Sequence, residues 1–267
     1  MAAITLTVEY AGGVRIMDEI LDEVLRSNRV CDDSGREYEL HSNISRMEGE
    51  FVRDLILSNP VTRSIEIGCA YGVSSLFICG ALARTGRGTH LIIDPYQSTQ
   101  WHGIGVRNLT RAGLSGFTLI EKPSEIALPE LLQGGSVFDF AFIDGWHTFD
   151  HVLVDFFYIN RMLASGGILV FDDVDYPAVR RLVRYVSRYP SYRIVGSLPL
   201  QTDPAEMVKK RAFLRMSRLI NVLPARLRVL FDDSVLRPDM SLNLNASMVA
   251  LQKTGDDERN WDWYASF

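Results

Sequence analysis

From Arg63 onward the chain alternates short apolar runs with amphipathic stretches. The runs are RSIEIG, THLIID, GFTLIE, VFDFAFID and GGILVFDD, each ending at a glycine or an acid. Runs this short and this continuously apolar predict strands buried on both faces, as in a parallel sheet. Helical spacing fills the intervals near 73–84, 100–112, 124–133, 148–163 and 176–188. In the fourth of these, Val152, Phe156, Ile159 and Leu163 make one apolar stripe, and Thr148 is placed to cap it. Strand–helix alternation with right-handed crossovers predicts an α/β, doubly wound, mostly parallel sheet.

The flanks differ from this core. Residues 1–60 predict a helical cap. Val14, Met17, Ile20, Leu21, Val24 and Leu25 recur at helical spacing, and after the polar loop CDDSGREYEL the run SRMEGEFVRDLILSN predicts a second helix that stops before Pro60. The core of residues 61–198 closes with SYRIVGSL, and SYRIVGSL and ASMVALQK predict two further strands, which makes seven. Residues 199–245 lie between them and include the basic, apolar MVKKRAFLRMSRLINVLPARLRVLF. A connection this long predicts a helical insertion, packed over the ligand edge of the sheet or at a subunit interface. Residues 246–267 hold the last strand and a tail.

Composition narrows the function. The 267 residues are 47% apolar and 23% charged, as in ordinary globular proteins. A net charge of −5 argues against non-specific binding to nucleic acid or to an anionic membrane, and leaves room for a local nucleotide-like site. Cys31, Cys69 and Cys79 are odd in number and lack metal-site spacing, which predicts reduced thiols and a cytoplasmic protein. The N-terminal MAAITLTVEYAGG lacks the pattern of a secretory signal, and no uncharged apolar run approaches the roughly 20 residues of a membrane helix. A small-molecule partner is expected, and a homo-oligomer is left open.

The candidate chemistry sits at the strand ends, where parallel sheets bind ligands. The first loop, EIGCAYG, offers Glu66, Gly68, Ala70 and Gly72. An acid there suits a cationic ligand group better than a pyrophosphate, and the loop departs from the GxGxxG of dinucleotide folds. Asp94 ends the second strand and is placed to accept ribose hydroxyls, or else to cap a turn. Ser124 after the third strand reads equally as an adenine contact or an N-cap. The fourth strand ends in FIDGWHTFDH, with Asp144, Trp146 and His147, and the fifth in Asp172 and Asp173. Neighbouring strands would bring these three acids to one rim. Carboxylates so placed repel unless a cation joins them, and an all-oxygen set favours Mg²⁺.

These residues resemble those of class I S-adenosylmethionine-dependent methyltransferases, which have a Rossmann-like doubly wound sheet. Among them they are similar to the metal-dependent O-methyltransferases of the catechol type. The resemblance covers about Arg63 to Gly196. It implies Asp144 as a metal ligand, with an adjacent acid pair 28 and 29 residues later as the other two, which are Asp172 and Asp173 here. It implies a general base three residues after Asp144, lysine in catechol enzymes and His147 here. It also implies Asp94 and Ser124 as ribose and adenine contacts, and Ser74 as a contact to the methionine carboxylate. Histidine in place of lysine, and Asp-Asp in place of Asp-Asn, are more similar to the macrocin-type sugar O-methyltransferases of antibiotic biosynthesis.

The expected reaction is therefore methyl transfer from S-adenosylmethionine to a hydroxyl of a sugar or other natural-product moiety. Asp144, Asp172 and Asp173 would hold Mg²⁺ or another divalent ion, His147 would be the base and Trp146 a wall or a core residue. Three alternatives stand beside it: a metal-independent O- or N-methyltransferase, an NAD(P)-binding oxidoreductase or nucleotide-binding regulator, and a cofactor binder without transfer activity.

Overall fold

The computed structural model describes residues 17–86, 88–201 and 203–266. Val14 and the N-terminal stretch read above for targeting lie outside them. In chain order, helix α1 (17–27) leads into the strands β1 (Arg29–Cys31) and β2 (Glu37–Glu39) and helix α2 (Arg46–Leu57). The alternating core follows as β3 (Arg63–Ile67), α3 (Val73–Arg84), β4 (Thr89–Ile93), α4 (Ile104–Arg111), β5 (Phe117–Ile120), α5 (Ser124–Gln133), β6 (Phe138–Ile143), α6 (Phe149–Met162), β7 (Leu163–Phe171) and α7 (Pro177–Val186). It closes with β8 (Tyr192–Pro199), α8 (Pro204–Asn221), α9 (Ala225–Arg228), α10 (Asp233–Leu236), a 3₁₀ turn (Asp239–Leu242) and β9 (Ala246–Lys253).

Seven strands form one sheet in the order β5-β4-β3-β6-β7-β9-β8. The pairs from β5 to β7 are parallel, and β9 runs antiparallel to both β7 and β8. This is the doubly wound, mostly parallel sheet that the alternation predicts. Period-two alternation along β6 shows how its two faces fill. Phe140 and Phe142 point into the cluster under α1–α4, while Ala141 and Ile143 point into the one under α5–α7. Burial on both faces explains why the strands read as unbroken apolar runs.

Two elements differ from expectation. Residues 29–39 carry an antiparallel ribbon where a polar loop was expected, because three-residue strands are too short to show alternation. The stripe residue Leu163 ends the α6 pattern yet begins β7, since helix and strand meet with no intervening loop.

The insertion leaves the sheet at Pro199 and returns at Ala246, and these two residues are register partners. Its far half is clamped to α7 by the buried Arg184. That guanidinium donates to Asp239 Oδ1 (2.9 Å), to Asp233 Oδ2 and O (both 2.8 Å) and to Arg237 O (2.6 Å). Removing one partner of a buried ion pair typically costs about 3–5 kcal/mol. Arg184→Met should therefore lower unfolding stability by that order in urea and open residues 232–242 to limited proteolysis. Unchanged cleavage and midpoint would show that the clamp carries no stability.

Candidate active site

The ladder continues one residue past each strand. Gly68 N donates to Ile93 O (2.9 Å), Asp94 N to Ile120 O (3.2 Å), Asp144 N to Ile67 O (2.9 Å) and Asp172 N to Ile143 O (3.1 Å). Gly68, Asp94, Asp144 and Asp172 thus stand in one row at the carboxyl edge, where the order diverges from β3 toward β4 and β6. Open α/β sheets bind ligands at such a switch point. A cavity of about 950 Å³ opens over the row. Of the twelve residues singled out in the sequence, all but Glu66 and Gly72 line it.

Glu66 is placed elsewhere by strand alternation. It points under α3, fully buried, where it accepts from Ser75 Oγ and faces His90 Nε2 at 3.0 Å. It does not reach the ligand side. Gly72 holds a left-handed φ of 83° as the N-cap of α3, and a Cβ there would come within 2.8 Å of Gly105 O. Its role is close packing against α4. Gly68, with φ of 89°, is needed more strictly, since a Cβ would lie 2.0 Å from Asp144 O.

Asp94 is committed to the loop before any ligand arrives. Its Oδ2 accepts from Cys69 N (3.1 Å), Ala70 N (2.9 Å) and Gln97 Nε2 (3.1 Å), and its Oδ1 from Tyr96 N (2.9 Å). Three donors on Oδ2 leave Oδ1 as the atom with room for one more. Asp94 thereby holds Ala70 in a left-handed conformation, φ 47°, that an alanine rarely adopts. Ser74 lies buried in the first turn of α3, beside backbone N–H groups that no side chain caps.

Ser124 is not an N-cap. Pro123 takes that position, and the Ser124 hydroxyl bonds the Asp155 carboxyl on α6. Thr148 is the N-cap of α6 by position, but its hydroxyl bonds Asp150 and His151 instead of the helix backbone. Trp146 is 61% exposed at the rim, which excludes a core role.

The acids converge around the imidazole. His147 Nε2 lies 3.4 Å from Asp144 Oδ1 and 3.0 Å from Asp173 Oδ2, and one ligand atom from each of the three falls within 4.8 Å of the others. The ring stacks on Tyr176 with centroids 5.2 Å apart. Asp172 stands outside this trio, buried behind it. Asp173 reaches the trio through a left-handed φ of 52°. Hydrogen bonds donated to Asp144 and then Asp173 push His147 up to about 10. Burial pushes Asp144 up to about 7, with the Asp173 charge adding to it. Burial, with the charges of Asp144 and Asp173, drives Asp172 well above the usual carboxylate range. The donor set suits a divalent cation: carboxylates in excess, one imidazole, and a rim reached from the cavity.

Sequence patterns missed several lining residues. Tyr176 was hidden as the residue before the Pro that starts α7, and Glu48 as the third residue of the capping box with Ser45. His151, the last residue of FIDGWHTFDH and four residues beyond His147, was given no role yet also lines the cavity.

Residues 65–174 match the sequence model of a methyltransferase domain. Over that span the chain is similar to methyltransferase domains. Its fold is that of solved methyltransferases of low sequence identity. The O-methyltransferase TomG of Streptomyces achromogenes, involved in tomaymycin synthesis and solved with S-adenosylmethionine, is 16% identical over 90% of each chain, with a TM-score of 0.58. An O-methyltransferase of Bacillus cereus, solved with S-adenosylhomocysteine, is 18% identical over 66% of this chain and 82% of that one, with a TM-score of 0.55. A Podospora anserina methyltransferase, also bound to S-adenosylhomocysteine, is 18% identical over 69% and 83%, with a TM-score of 0.54.

A buried carboxyl behind the cavity yields a pH prediction. Asp155 is 1% exposed, and burial pushes it up to about 6 from 3.8. A raised folded pKa means that the native state binds the proton more tightly than the unfolded chain. Stability from this group is then highest below about pH 4 and falls as pH rises to 6. Asp155→Asn should leave stability unchanged at pH 4 and raise it by up to about 3 kcal/mol at pH 8. Urea unfolding at both values checks this, and an equal effect at both would refute it.

Proposed function

We propose that the protein methylates a hydroxyl of a small polar molecule, a sugar or another natural-product moiety, with a divalent cation at the rim. The observation that carries this reading is the meeting of Asp144, His147 and Asp173 at one end of a cavity whose other end is the Asp94-bound glycine loop. A cavity of this size has room for a nucleoside-type donor and a second small molecule beside it. Antibiotic-type chemistry is supported by the resemblance of the acid pair and by TomG, which serves tomaymycin synthesis.

On this reading each residue has a task. The uncapped N–H groups at the start of α3, with Ser74, meet the methionine carboxylate. Asp94 Oδ1 accepts one ribose hydroxyl. Ser124 lies at the adenine end but is already committed to Asp155. Trp146 forms an outer wall. Asp144 and Asp173 hold the cation, Mg²⁺ by default, with Asp172 behind them. A divalent ion there would lower the pKa of a coordinated alcohol and fix its orientation. With Asp144 and Asp173 turned to a cation, the two hydrogen bonds that hold a proton on His147 would weaken, and Nε2 would be free to take the acceptor's proton. The remaining gain is alignment of the hydroxyl with the methyl group.

A second reading rests on the same trio. The His147 imidazolium already sits between Asp144 and Asp173, so it can neutralise the acids with no metal. Methyl transfer that survives EDTA unchanged would support this alternative and remove the cation. If the first reading holds, EDTA abolishes turnover, added Mg²⁺ or Mn²⁺ restores it, and Asp144→Ala loses the response.

His147→Ala should leave S-adenosylhomocysteine affinity within a few fold by calorimetry while cutting turnover by ~10²–10⁴. Near-normal turnover would take the proton-transfer role away from His147.

A further inference from the structure

Helix α8 is eighteen residues long, yet Ser217 is its one buried residue. Its inward seam is polar: Ser217 Oγ and Asn221 Nδ2 both bond Leu236 O, and Lys210 Nζ bonds Asn245 Oδ1. Several of its large apolar residues face outward, while Met207, Leu214 and Ile220 are half-buried. Val208, Met216, Leu219 and Val222 fall on one stripe at helical spacing, with Leu219 74% and Val222 84% exposed. The exposed Val229 and Leu230, just past α9, add to the apolar surface of the segment. A helix that turns its stripe outward is built to be covered.

Charge identifies what covers it. Residues 204–231 contain seven Lys or Arg and one acid, Glu206, inside a chain whose net charge is −5. The chain average hides this local surplus. Glu206 is taken by Lys210, and among the described residues Arg211, Arg215, Arg218 and Arg226 form no ion pair. Self-association through this face would set seven cations against seven, because a two-fold interface meets its own copy. An anionic surface with an apolar interior satisfies both features at once.

We propose that residues 204–231 dock on an anionic lipid bilayer, with α8 lying in the interfacial plane, its stripe among the acyl chains and its arginines on the headgroup phosphates. No helix among the described residues is long and apolar enough to cross a membrane, so the attachment is peripheral. The insertion leaves and rejoins the sheet beside the Asp172–Asp173 end of β7, where Val174 N donates to Ser247 O (2.8 Å). The two ends of the insertion therefore lie at the same edge of the sheet as the cavity.

The test uses the full chain and vesicles of phosphatidylcholine with or without phosphatidylglycerol, in a co-sedimentation assay. The protein should bind the anionic vesicles and release as salt rises. Leu219→Asp with Val222→Asp should weaken binding by about tenfold or more, and Arg215→Gln with Arg218→Gln should remove the preference for the anionic lipid. S-adenosylhomocysteine affinity should stay unchanged in both variants, which separates this result from any failure of the methyl-transfer reading. Absence of binding, equal binding to neutral vesicles, or insensitivity to both variants would overturn the proposal. So would a dimer that light scattering shows dissociating in the Leu219→Asp, Val222→Asp variant while vesicles bind nothing, which would assign the stripe to a second copy.

Discussion

The site depends on the register of four parallel strands. Ile67 is paired with Ile93 and with Ile143, and Ile143 with Phe171, so the next residue of each strand falls on one line. Backbone hydrogen bonds alone bring Gly68, Asp94, Asp144 and Asp172 together from positions far apart in sequence. A slip of one residue would exchange the two packed faces, on β6 Phe140 and Phe142 for Ala141 and Ile143, so packing of both layers enforces the alignment of the polar ends. The absence of a side chain at Gly68 then lets the β3 and β6 loops touch.

Along that line the molecule sets two kinds of polar environment side by side. At one end Asp94 accepts from four donors and serves as a brace for the glycine loop. At the other, Asp144, Asp172 and Asp173 crowd together with a single imidazole to balance them. The first is settled structure. The second carries electrostatic tension, which holds protons on groups that would otherwise give them up and makes the rim receptive to positive charge.

Much of this was legible in the sequence because it depends on local pattern. The apolar runs gave away the strands, since burial on both faces keeps most positions inside them apolar. The acids after VFDFAFI and GGILVF were visible as strand ends, and the 28-residue spacing tied them together. What stayed hidden is set by orientation in space. Glu66 differs from its neighbours by the face to which a strand residue points. Ser124 was readable as a cap or a ligand contact, and its bond to Asp155 required knowing that α5 and α6 are adjacent. The 29–39 ribbon has strands too short for periodicity to speak, and the protonated state of His147 needed Asp173 to be folded back by one left-handed residue.

One feature of the sheet's far edge reaches beyond this chain. Because Pro199 and Ala246 face each other across the β8–β9 ladder, everything between them is topologically a hairpin loop. Closing such a loop costs only about 0.6 kcal/mol more each time its length doubles. The sheet is thus nearly indifferent to what the loop contains. Evolution, or an engineer, can graft, trim or exchange the whole segment while the row at the strand ends stays in register, so the surface this segment presents can drift quickly on a scaffold that does not.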